Sequence, residues 1–261
     1  MAGILAGAMA FSTFAAATPV QAATLSATQY FNKMSKAVDK LKSYELSQTT
    51  VQKMDMSGQT VNSKTVTKST VFTDPLKLKS VTNGTTTIAG VNTKSKVVAY
   101  AEQAQDGKLY EYVSTNGSAY EKVNLSEYTD QLSDLDVDMY TNLKIVKKNV
   151  KVNNVNTVQI SGEVDGTQIA EILGQMGLGE DAKNVDYSSL KPIKMTFWIN
   201  SKNYYPVKCV MDMKDFMAGY IKLLYDSSDE DSAISYTQAK STMVYKNLNK
   251  ATNFTIPAEC K

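Results

Sequence analysis

The chain has 261 residues, 43% hydrophobic and 21% charged, which gives enough apolar length for one large domain and no sign of a disordered or fibrous chain. All 28 basic residues are lysines, histidine is absent, and the formal charge is +2. These absences exclude Ser-His-Asp and Cys-His catalysis, histidine-ligated zinc, histidine pH switching and guanidinium clamps on phosphate or carboxylate.

The first 22 residues carry no charge, run apolar from Ala2 to Ala17, pass Pro19 and end on Val20-Gln21-Ala22. Small or tolerated residues at the last and third-last positions predict a secretory signal peptide over 1–22, cleaved after Ala22. The basic start of such a signal is missing, because the first lysine is Lys33, as a start placed too late would produce. No cysteine lies near the cleavage site, so the exported product is expected to carry no lipid anchor, and residues 23–261 are expected to form a single secreted or envelope domain. No later apolar stretch approaches the ~20 residues that span a bilayer; the run from Phe216 to Tyr225 is interrupted by Gly219 and Lys222. Export makes Cys209 and Cys260 a candidate disulfide, worth about 4 kcal/mol through loop closure.

From Ser26 to Lys42, Tyr30, Phe31, Met34, Val38 and Leu41 recur every three or four residues, which predicts an amphipathic helix. Six β-prone segments follow: 44–56, 60–72, 76–88, 97–104, 108–114 and 119–123. Ser57-Gly58, Asp74-Pro75, Asn83-Gly84, Asp106-Gly107 and Asn116-Gly117 punctuate them, the pattern of an antiparallel meander with tight turns. Leu125 to Leu143 reads as a helix or helical loop, and 144–163 as strands turning near Asn153-Asn154. Thr167 to Met176 reads as a short helix stopped by Gly177 and Gly179. Strands are expected again at 193–200, 206–214, 234–247 and 254–256. Helices segregated from antiparallel strands make an α+β fold.

Lys144, Lys147, Lys148 and Lys151 sit on a strand-like segment within a nearly neutral chain, which reads as a solvated face rather than a nucleic-acid site. Asp134, Asp136 and Asp138 open like a calcium loop, but the sixth and twelfth positions hold Met139 and Ile145 where Gly and Glu are required. The acids at Asp226, Asp229, Glu230 and Asp231 read as another solvated loop. Gly174, Gly177 and Gly179 lack the order and the preceding strand of a dinucleotide loop. No catalytic residue, metal site or cofactor is therefore expected. Alternation places Met195, Phe197 and Ile199 on one strand face and Cys209, Met211 and Met213 on one face of the next, with Met54 and Met56 alike earlier. Methionine adapts its shape to irregular apolar guests, and these seven residues other than Cys209 are the candidate apolar binding site.

Several segments resemble LolA/LppX-like proteins of bacterial envelopes: Leu41-Lys42-Ser43-Tyr44, Met54-Asp55-Met56-Ser57-Gly58, and Asp106-Gly107-Lys108-Leu109-Tyr110. The closing segments Met195 to Asn200, Tyr205-Pro206-Val207-Lys208, Tyr245-Lys246-Asn247-Leu248 and Ile256-Pro257 do so as well, and the chain looks like a branch known only as a domain of unknown function. The resemblance implies an unclosed β-barrel, a strongly curved antiparallel sheet whose concave face is covered by helices and takes up a lipid or other hydrophobic ligand. The cargo-holding arginine and lipobox cysteine of the family have no counterpart, which leaves a secreted hydrophobe binder without enzymatic activity rather than a lipoprotein shuttle. The alternative is a structural or signalling envelope protein with a filled interior.

Overall fold

The computed structural model describes residues 25–125, 139–168, 187–224 and 234–260. The expected signal peptide lies outside them, as do most of the helices expected at 125–143 and 167–176 and the acidic residues Asp134, Asp136, Asp138, Asp226, Asp229, Glu230 and Asp231.

Helix α1 spans Ala27–Val38, and Ser26 caps it in a reciprocal box: its hydroxyl accepts from the Gln29 amide while the Gln29 side chain accepts from the Ser26 amide. The strands are β1 Ser43–Met56, β2 Gln59–Thr73, β3 Leu76–Ile88, β4 Val91–Gln103, β5 Leu109–Thr115, β6 Glu121–Asn124, β7 Tyr140–Val152, β8 Val155–Val164, β9 Ile193–Asn200, β10 Pro206–Asp212 and β11 Ile234–Lys246. Helix α2 spans Lys214–Leu224. The strands form one 11-stranded antiparallel sheet in the order β6-β5-β4-β3-β2-β1-β11-β10-β9-β8-β7. Two meanders are thus joined where β11 pairs with β1, and the sheet, ending at β6 and β7, is not closed into a barrel.

The helices cover one side of the β7–β11 half. Phe31 and Met34 of α1 and Phe216 of α2 enter a buried cluster with Ile160, Met195, Phe197, Ile199, Cys209 and Met243. Helix α2 was concealed in the sequence by Gly219. A Cβ there would lie 2.8 Å from Leu190 Cδ2, so the glycine permits close helix approach instead of breaking the helix. Phe216 and Tyr220, four residues apart, stack with ring centroids at 6.1 Å.

Other expectations shift for identifiable reasons. Asn83-Gly84 is not a turn: β3 runs through it, Gly84 lies opposite Ser95, and the reversal occurs at Ala89-Gly90, both with positive φ. Strand β10 stops at Asp212, and Met213 leads into α2 while its amide donates to the Ala239 carbonyl. Tyr140 to Leu143 belong to β7 rather than to a helix. Residues 254–256 are not a strand. That segment crosses the far side of the sheet, where Phe254 packs on Phe72 and Tyr100, and Lys77 Nζ donates to the Phe254 carbonyl at 2.6 Å.

Cys209 and Cys260 are both buried and are not joined by a disulfide. Cys209 belongs to the helix-covered cluster, whereas Cys260 packs with Tyr100, Tyr112 and Ile256 on the opposite side of the sheet. A disulfide needs Cα atoms within about 7 Å, so a pair separated by the sheet cannot form one. Burial also pushes the Cys209 thiol up to about 12, which suppresses the reactive thiolate. The native chain, kept without reductant, is expected to resist iodoacetamide at Cys209 and to take two labels per chain once unfolded; mass spectrometry reads both, and a doubly unlabelled unfolded chain would show a disulfide and contradict this placement of the two thiols.

Candidate functional site

Antiparallel register fixes which side chains share a side of the sheet, because directly paired residues point the same way and neighbours alternate. Starting from Phe197, the pairings Cys209, Met243 and Gln48 lead on to Thr67, Thr82 and Val97. This is the concave face, the one the helices cover. Across β1–β5 and β8–β11 every lysine falls on the other, convex face, including Lys53, Lys64, Lys68, Lys77, Lys79 and Lys246. On the concave face of those strands Glu111 is the single ionisable carboxyl, paired across β4 with Ala101.

The concave face has three zones. Under the helices it is apolar and filled: the space among Met34, Tyr140, Met195, Phe197, Cys209 and Met243 amounts to about 10 Å³, at most one water. Burial there drives the Tyr140 and Tyr245 phenols well above their usual range. In the middle it is lined by small hydroxyl side chains. Thr67 and Thr82 share a hydrogen bond of 2.9 Å, and Gln48 Nε2 donates to Ser241 Oγ at 3.0 Å. Buried Ser80 Oγ and Gln48 Oε1 have no hydrogen-bond partner among the described residues. At the hairpin end a third zone is apolar again. Tyr236, Met54, Val61, Ile88 and Val91 stand in one row across β11, β1, β2, β3 and β4, each paired with the next. At the usual strand spacing the row is roughly 20 Å long. Ile88 and Val91 are 45% and 69% exposed, and Met56 beside the row is 41% exposed.

The expected site residues therefore fall in two places. Met195, Phe197 and Ile199 are buried in the filled cluster, with Met211 and Met213 packed against it. Met54 and Met56 lie at the hairpin end, where Tyr236, Val61, Ile88 and Val91 join them. The missed residues were not visible from alternation alone, because only the register across five strands aligns them. Among the described residues no three histidine, cysteine or carboxylate side chains gather as metal ligands.

Glu111 is 8% exposed, and burial raises its carboxyl above the ordinary 4.5. Between 4.5 and that higher value the folded chain holds a proton that the unfolded chain releases, so stability falls as pH rises through this window. Glu111→Gln is expected to remove that fall. Thermal unfolding of both chains from pH 4 upwards, compared as a difference, checks it; parallel curves would contradict it.

Fold and faces together define an open antiparallel sheet protein whose concave side, helix-covered over the β7–β11 half, carries no lysine on β1–β5 or β8–β11, and whose convex side is lysine-bearing. The chain belongs to DUF6612, a family of unknown function, which matches residues 26–261. No curated protein matches it. Among solved structures it is similar to the Mycobacterium tuberculosis lipoprotein LppX, at 14% identity and TM-score 0.47, over 87% of this chain and 97% of that one. It is also similar to a DUF1329 family protein of Desulfovibrio piger, at 12% identity and TM-score 0.28, over 88% and 93% of the two chains. A Vibrio parahaemolyticus outer membrane lipoprotein-sorting protein domain matches at 10% identity and TM-score 0.26, over 85% and 90%.

Proposed function

We propose that this protein is an exported, non-enzymatic envelope component that holds a lipid or other apolar molecule against the concave face of its sheet. The observation that carries this reading is the row Tyr236, Met54, Val61, Ile88 and Val91. It is a contiguous apolar strip, partly exposed, on a face from which every lysine of β1–β5 and β8–β11 is excluded. Surface strips of this kind are a standing cost in water, at about 25 cal/mol per Å² of apolar area, and a bound apolar molecule relieves it. Export rests on the composition of residues 1–22. The binding site expected at Met195, Phe197, Ile199, Met211 and Met213 is replaced in this reading by the hairpin end, with Met54 and Met56 kept.

Titration with a fluorescent long-chain fatty acid tests the reading. Met54→Asp, placed where the side chain is half-buried, should keep the fold and weaken uptake at least tenfold. Equal uptake by the native chain and a folded Met54→Asp would overturn the assignment. The filled cluster beneath α1 supports a second reading, a structural envelope protein whose interior is occupied by its own side chains. No uptake of any apolar probe by the native chain would favour it.

A further inference from the structure

On the convex face, segment 252–254 and strands β11, β1, β2 and β3 enclose a groove of about 700 Å³. Lys68, Lys79 and Lys246 line it, Asn83 and Asn253 add side-chain amides, and Glu45 is its single carboxylate. Among the described residues none of these three lysines takes part in an ion pair, in contrast to Lys108 with Asp106 and Lys194 with Asp215. The outer wall is tied down. Lys77 Nζ donates to Asn253 Oδ1 at 2.7 Å and to the Phe254 carbonyl at 2.6 Å, and lies 4.6 Å from the Phe254 ring centroid. The groove is thus a tied-down cleft in which three lysines outnumber one carboxylate, within the roughly 300–1,000 Å³ range of small-molecule sites.

Three ammonium groups without any arginine suit a compact, multiply charged anion better than a planar carboxylate, which a guanidinium fork grips in two places. The volume exceeds that of a bare phosphate, and the amides and the hydroxyls of Thr70 and Thr252 suit a polar body. We propose that this groove binds a phosphate-bearing organic ligand, with Lys68, Lys79 and Lys246 holding the phosphate and Asn83 and Asn253 the remainder. The site lies on the side of the sheet away from the apolar row, so neither assignment depends on the other.

Calorimetric titration of the full exported chain with inorganic pyrophosphate tests it. Saturable binding is expected that weakens with added salt and falls at least tenfold in Lys68→Ala/Lys79→Ala/Lys246→Ala. The control Lys64→Ala/Lys94→Ala/Lys240→Ala removes three exposed lysines of the same face outside the groove and should stay within twofold of the native chain. Circular dichroism confirms that both triple variants fold. Vesicles of phosphatidylglycerol separate the sources of the phosphate. Vesicle binding displaced by pyrophosphate assigns a lipid headgroup; pyrophosphate binding without vesicle binding assigns a soluble phosphorylated molecule. No saturable heat with pyrophosphate, or equal weakening in both triple variants, would overturn the groove as a site.

Discussion

Phe31→Ala is expected to lower the free energy of unfolding by about 3–5 kcal/mol, measured by urea denaturation. Phe31 is fully buried at the centre of the α1 stripe. Its ring meets Tyr140 with centroids at 4.7 Å and Phe197 edge-on at 5.1 Å, and those two rings are themselves edge-on at 5.5 Å. Removing it deletes one corner of a three-ring cluster drawn from α1, β7 and β9. None of these elements can collapse into the gap, because the hydrogen-bonded sheet fixes the two strands. Phe31→Leu, which keeps most of the volume, should lose clearly less. A loss below about 1 kcal/mol for the alanine variant would mean that α1 is not seated on the concave face.

Met195→Asp is expected to prevent folding altogether, whereas Lys194→Gln, one residue earlier, should change stability by no more than about 1 kcal/mol. Met195 is 3% exposed and stands between Gly162 and Met211 on the helix-covered face, where a carboxylate finds neither water nor a cation. Lys194 points the other way, between Glu163 and Asp212 on the neighbouring strands, and makes an exposed ion pair with Asp215 at 4.0 Å. Far-ultraviolet circular dichroism and urea melts of the two variants read the contrast. The same measurement on Met54→Asp completes it: that chain should fold, since Met54 lies at the hairpin end of the sheet. A folded Met195→Asp that had only lost uptake would restore the helix-covered cluster as the binding site.

Much of the fold was legible because strand alternation and turn chemistry are local. The Thr- and Val-rich segments and the Ser57-Gly58 and Asn116-Gly117 turns placed most strands within a few residues. The site was less legible because side-of-sheet assignment is not local. Met54 and Met195 look alike in their own strands, and only pairing through β11 and β10 shows that one reaches the hairpin end and the other the cluster under α1. Alternation sets Tyr110 and Tyr112 against Glu111 but does not say which of them faces the helices. Segment 254–260 decides it by covering the convex face over Tyr100 and Tyr112, which leaves Glu111 on the concave side. The same covering segment carries Cys260 to the side of the sheet opposite Cys209, and a cysteine count carries no information about which side of a sheet each thiol takes.

The concave face as a binding surface for an apolar molecule is tested most directly by native mass spectrometry of the mature chain purified from a secreting host, with organic extraction of whatever accompanies it. A stoichiometric co-purifying lipid or other apolar molecule is predicted, absent from folded Met54→Asp. A bare chain mass that stays unchanged after incubation with mixed lipids would contradict it and leave a sheet whose interior serves only its own packing.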